Sequence, residues 1–189
     1  VRSRRQRQMC IRDSNYIMKK LMSLLLLLVI TSCTTGNHKD FMTNTELAKT
    51  YFNLHQQENA DAMWDYIHPD IEWHMPAYGA EVAGLEVVKQ AITGYHAEFE
   101  GLNFAADYWL PGVDPETGLL DGSTRTYGTW TGIHTATGQK LSMTSYHAFS
   151  FKDGKIVGGG DWFDLGGMMN AIKQGAEMEA QKEADQEES

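Results

Sequence analysis

The feature that most constrains this chain is a change of hydrophobic period near residue 100. Beyond that point Thr, Tyr, Trp, Phe and Val fill four strand-like runs, 103–110, 122–135, 139–151 and 155–164, separated by Gly, Pro and Asp. Gly138 and Asp153-Gly154 mark tight turns, and 112–122 is a longer loop with Pro115 and Gly118 as turn residues. Before it, Leu47, Tyr51 and Leu54 recur at helical spacing, which predicts a first helix to about Gln57 with Thr43–Thr45 as caps. A second short helix fits 60–67 and stops at His68-Pro69-Asp70. Ile71–Met75 reads as a short strand, and Leu85, Val88, Ile92, Tyr95 and Phe99 give a third helix opened near Gly84. Helices first and an antiparallel meander after predict an α+β fold, with three N-terminal helices packed on one face of a curved, mostly antiparallel sheet around a cone-shaped interior. Its hollow interior is the default site.

The N-terminal third is organised differently. Met18-Lys19-Lys20, the apolar run Leu21–Ile30 and the junction Ile30-Thr31-Ser32-Cys33 read as a signal peptide over 18–32. Ten residues, Ser23 among them, are half of what a spanning helix needs. The junction resembles a bacterial lipobox, so Cys33 is the expected lipidation site and the protein is expected to be exported and anchored in the cell envelope. In a diderm host Thr34 points to the outer membrane, facing the periplasm. Residues 1–17 read as upstream translation, 33–40 as a tether, 41–174 as the domain and 175–189 as an acidic tail with six acids against Lys182. Removing the leader takes away Cys10, so disulfides and thiol chemistry are not expected. It also leaves nine of the 16 bases against 24 of the 25 acids, a charge near -15 that argues against nucleic acid or an anionic membrane surface as partner.

HPDIEWHMP (68–76), GLEVVKQAI (84–92), GTWTG (128–132) and FKDGKIVGGGDWFDLGGM (151–168) resemble the SnoaL-like polyketide cyclase branch of the nuclear transport factor 2-like superfamily. The resemblance covers about 130 residues. It implies the cone-shaped fold, a frequent homodimer, and a range of activities that includes cyclases, isomerases, dehydratases and epoxide hydrolases. Epoxide hydrolase relatives pair an acid at the position of Asp161 with Arg-x-Asp on a neighbouring strand. Those two positions fall here on Gly128 and Trp130, with Arg125 out of phase, so that mechanism is not expected.

Which residues accompany Asp161 depends on the turn at 152–155. A two-residue loop at Asp153-Gly154 opposes Tyr146 to Asp161; a three-residue loop opposes Ser145 to Asp161 and His147 to Gly159. The apolar row Leu141, Met143, His147, Phe149 and Phe151 favours the three-residue loop, which joins it to Val157, Asp161 and Phe163 and makes Asp161 and His147 diagonal neighbours. An acid and an imidazole in an apolar cavity suit proton transfer, with Asp161 as general base and His147 as general acid or orienter. The same two residues also fit a core hydrogen bond without catalysis.

Trp130, Met143, Phe163, His74, Tyr95 and Trp64 are the candidate substrate-binding residues. For His74 the periodicity is divided, because Ile71, Trp73 and Met75 form the more apolar row. Asp164 reads as a helix cap. His55, His68, His96 and His134 read as surface residues, and Gly158–Gly160 as room for an opposing aromatic or His147. No metal site or cofactor is expected. The expected function is a cofactor-independent cyclase, isomerase or hydratase acting on a small hydrophobic molecule. The alternative is a lipid-anchored binding domain for an apolar ligand or a protein partner, which export favours.

Overall fold

In the computed structural model, which describes residues 36–187, the first helical stripe forms α1 (Phe41–Gln56). Phe41, Thr45, Ala48, Tyr51 and Phe52 are buried along one side of it, at the spacing a single helix face provides. Thr45 is therefore not a cap: its hydroxyl lies 3.3 Å from Thr124 Oγ1 in the core, and Asp40 precedes the helix. A short helix α2 (Ala60–Met63) continues as a 3-10 turn (Trp64–Tyr66) and leads into β1 (Ile67–His74). This strand starts four residues earlier than the periodicity predicts and contains Pro69. That is tolerated because β1 is an edge strand whose pairing skips from Ile67 to Glu72, so the proline falls in the gap.

Helix α3 (Leu85–Glu98) starts after Gly84, as expected, and buries Val88 and Ile92. The four meander strands follow as β2 (Phe99–Val113), β3 (Leu120–His134), β4 (Lys140–Lys152) and β5 (Lys155–Phe163). Asp164 accepts the Gly167 N–H at 2.8 Å and caps α4 (Leu165–Glu187), which runs without a break through the boundary expected at 174. Four helices thus lie on a five-stranded sheet of order β1-β5-β4-β3-β2, parallel at β1-β5 and antiparallel elsewhere. Three irregularities in the β2-β3 pairing bend the long strands, and such bulges increase local twist and curl a sheet around its concave face.

The turn that decides the register is the two-residue one. Asp153 and Gly154 have φ of 52° and 71°, a type I′ geometry, and Lys152 pairs with Lys155. The three-residue loop favoured by the hydrophobic pattern is therefore not formed. Nor does Tyr146 oppose Asp161, because β5 bulges after Ile156: Phe151 pairs with Ile156 but Ser150 with Gly158, leaving Val157 as the extra residue. From there on the register advances by one, and His147 stands directly opposite Asp161.

Gly159 lies in the same row, flanked by Trp73 on β1 and Phe149 on β4. Its φ is +140°, and a Cβ there would run into the Ala148 carbonyl and stand 3.0 Å from the Trp73 ring. Without a side chain it lets the two aromatic rings approach to 5.6 Å between centroids. The narrow end of the cone is then closed by Met63, Ile67, Ile71, Phe149 and Ile156, all under 5% exposed.

Candidate active site

The wide end of the cone stays open between the helices and the sheet, as a cavity of about 100 Å³. At roughly 10–15 Å³ per water that is room for a compact organic molecule. Its wall is mostly apolar, from Phe52 on α1, Val88 and Ile92 on α3, Leu102 on β2 and Leu141 on β4. Among the expected binding residues Trp130, Met143, Phe163 and Tyr95 line it. His74 and Trp64 do not. His74 is exposed on the outer sheet face, 6.4 Å from Trp162 and parallel to it, since Trp73 takes the inward position on that strand. Trp64 packs against the core and carries the Lys89 ammonium 5.5 Å above its ring. Cys33 lies outside the described residues.

Asp161 and His147 face each other across the β4-β5 ladder, with His147 Nδ1 2.6 Å from Asp161 Oδ1. The remaining bonds assign the protons. Trp130 Nε1 can only donate, and it does so to His147 Nε2 at 3.1 Å, so that nitrogen is bare and Nδ1–H donates to the carboxylate. Ser145 Oγ lies 2.8 Å from the same Nε2 and 3.4 Å from the Gly128 carbonyl, so its one proton serves either acceptor. Trp73 Nε1 donates to Asp161 Oδ2 at 3.0 Å. Each carboxylate oxygen thus has one indole or imidazole donor. Both line the cavity, with His147 enclosed at 4% side-chain exposure and Asp161 more open at 24%.

Three further titratable groups share the space, and two of them are not among the expected site residues. Tyr51 and His55 come from α1 and Tyr95 from α3. Burial and then the Asp161 charge hold the Tyr51 phenol above its ordinary range. The same two causes, with Glu98 third, push Tyr95 up to about 12. Both phenols are therefore protonated donors at neutral pH.

His55, expected at the surface, lies inside, because it follows Tyr51 by four residues and Phe52 by three and so shares their buried stripe. Its Nδ1 is 2.7 Å from His96 Nε2, which draws His96 inward as well. Burial, with the neighbouring His96 second, lowers His55 to about 4. Burial also lowers His96, opposed by Glu58. His68 is largely covered beside Asp70 and Asp153, and His134 is half-buried against Phe99 with Thr137 at 2.9 Å. Among the described residues no group of three or more His, Cys, Asp or Glu is placed to hold a metal ion, and no helix is long and apolar enough to cross a membrane.

At Gly128 a Cβ would meet the Phe104 ring and the Ala105 carbonyl at 2.5 Å, so the Arg-x-Asp pair of epoxide hydrolases has no room for its first member. Arg125 sits on the other face, opposite Ala148.

Comparison with solved structures places this geometry among known folds. A protein assigned as an isomerase from Bacillus subtilis superposes with a TM-score of 0.61 at 14% identity, over 72% of this chain and 96% of that one. A protein assigned as a SnoaL-like polyketide cyclase from Jannaschia gives 0.60 at 15%, over 73% and 96%. An epoxide hydrolase/cyclase-like enzyme of pyran-ring formation in the polyether salinomycin gives 0.57 at 13%, over 68% and 95%. No curated protein sequence matches the chain. The SnoaL-like domain model matches residues 48–159, more than half of the sequence, from within α1 to Gly159 on β5, so this chain is a member of the SnoaL-like family.

Proposed function

We propose that the protein is a cofactor-independent proton-transfer enzyme of the isomerase or cyclase type, acting on a small apolar carbonyl compound. The observation that carries this is the Asp161 carboxylate: it opens into a mostly apolar cavity and is fixed by one N–H on each oxygen. A base held in this way needs little reorganisation when the proton moves. Asp161 takes a proton from carbon next to the carbonyl and returns it at another position. His147 is a positioning residue, since its second nitrogen is occupied by Trp130 and Ser145. The test is proton–deuterium exchange of 2-tetralone, an apolar ketone, in D2O: the protein accelerates it, and Asp161→Asn abolishes the acceleration. Equal exchange by both forms contradicts the reading.

The cellular setting belongs to the same proposal. Lipidation at Cys33 holds the domain at the envelope, and Cys33→Ser is expected to leave a larger precursor that no longer fractionates with membranes. Unchanged membrane association of that variant would overturn the anchor. A homodimer is favoured by the outer sheet face, where Tyr108, Tyr127, Tyr146 and Trp162 form a continuous ridge with centroids 4.7–5.3 Å apart. Tyr108 and Trp162 are 51% and 45% exposed there, and the ridge is flanked by Thr129, Thr144, Ala148, Arg125 and His74, an aromatic surface suited to a second copy of itself.

A further inference from the structure

His55 is the one imidazole that meets the cavity and has no part in the Asp161 bonding. Its Nδ1 is taken by His96. Its Nε2 has no protein hydrogen-bond partner among the described residues, yet only His96 Nδ1 is both enclosed and unpartnered, so His55 Nε2 opens into the cavity.

The orphaned His96 nitrogen fixes the protons of the pair. If His55 Nδ1 donated to His96 Nε2, the His96 proton would sit on Nδ1 as a buried N–H with no acceptor, the more costly kind of orphan. With the proton on His96 Nε2, the enclosed Nδ1 is only a bare lone pair. His55 Nδ1 then accepts, and His55 carries its own proton on Nε2. The surroundings point the same way. The groups acting on His55 are His96 on α3, Asp161 on β5, its own backbone and then His147 on β4, and the Asp161 charge favours an N–H over a lone pair in the space before it. Tyr51 and Tyr95, whose rings flank His55 with centroids at 6.5 Å, are neutral donors.

We infer that His55 Nε2–H is a hydrogen-bond donor to the substrate oxygen, so that the cavity selects neutral, apolar molecules with a carbonyl or enol oxygen set between His55 and Asp161. This deepens the proposed function and rests on it for its chemical step. In that step the Asp161 carboxylate takes the α-hydrogen as a proton, the C–H electron pair forms the C=C bond, and the carbonyl π pair moves onto oxygen. The resulting enolate accepts the His55 hydrogen bond without receiving its proton. Asp161 then returns its proton to carbon, and no co-reactant is consumed. Because burial keeps His55 neutral, it acts as a polarising donor rather than as a cation.

Two measurements test this. In protein labelled with 15N-histidine, the His55 ring, identified by its loss in His55→Gln, is expected to show a protonated Nε2 and a bare Nδ1 from about pH 5 to 8. A proton on Nδ1 would overturn the assignment. For binding, the probe is 2-naphthol, whose hydroxyl donates to Asp161 and accepts from His55. His55→Phe is expected to weaken it by about tenfold, while His55→Gln, which keeps a donor, stays within about threefold of the unsubstituted protein. Undiminished binding by a folded His55→Phe protein would refute the donor. Weakened binding there, together with 2-tetralone exchange indifferent to Asp161→Asn, upholds the donor and refutes the base.

Discussion

The buried His55 makes stability depend on pH in a defined direction. Its ordinary value near 6.5 falls to about 4 in the fold, chiefly through burial. Between those values the unfolded chain binds the additional proton, so stability rises with pH across that window. The contribution is complete above about pH 6.5, declines as pH falls toward 4, and is on the order of 3 kcal/mol. Urea denaturation over this range should show the decline, and His55→Gln should flatten it; an equally steep profile in the variant would show that other groups cause it. His55 was legible in principle, since it shares a helical stripe with Tyr51 and Phe52. Its position near the helix end, beside polar Gln56 and Gln57, masked that stripe. His147 and Asp161 were legible because strand alternation survives any even shift of register. Strand alternation assigns Trp130 to the cavity wall, and its second role, donating to His147, depends on a ring orientation that no pattern encodes.

At the scale of elements, the periodic segments were readable and their joints were not. Helix α3 and strands β3 to β5 lie within a few residues of their expected spans, because their residues keep one period and Gly, Pro or Asp mark most of their ends. The bulge at Val157 has no such signature: valine favours a regular strand, and the bulge is decided by tertiary packing around it. It is nonetheless what sets His147 opposite Asp161. Gly159 is the neighbouring joint. Gly159→Ala should destabilise the fold by about 1–3 kcal/mol through its positive φ alone, with more from the collision at Ala148. Thermal unfolding checks this, and a melting temperature unchanged from the original protein would mean that β5 can shift without cost. Ser150→Ala, outside the pocket-facing row, is the control expected to change little.

For the whole molecule, the cone fold followed from helices preceding a meander, whereas the outward ridge of aromatics became visible only once the register was known. If that ridge pairs two copies, Tyr127→Lys should convert a dimer to a monomer in light scattering while leaving 2-naphthol binding intact, because the ridge and the cavity are on opposite sheet faces. A monomer before substitution would remove the dimer. The central claim is that the cone holds a working carboxylate rather than a structural one, and the two roles separate in a single comparison. Asp161→Asn keeps the side-chain volume and an acceptor for Trp73 or His147. Side by side with the unsubstituted protein, its 2-tetralone exchange rate should fall at least about a hundredfold, with a melting temperature within a few degrees. A large drop in melting temperature with exchange lost only in proportion to unfolding would contradict the account.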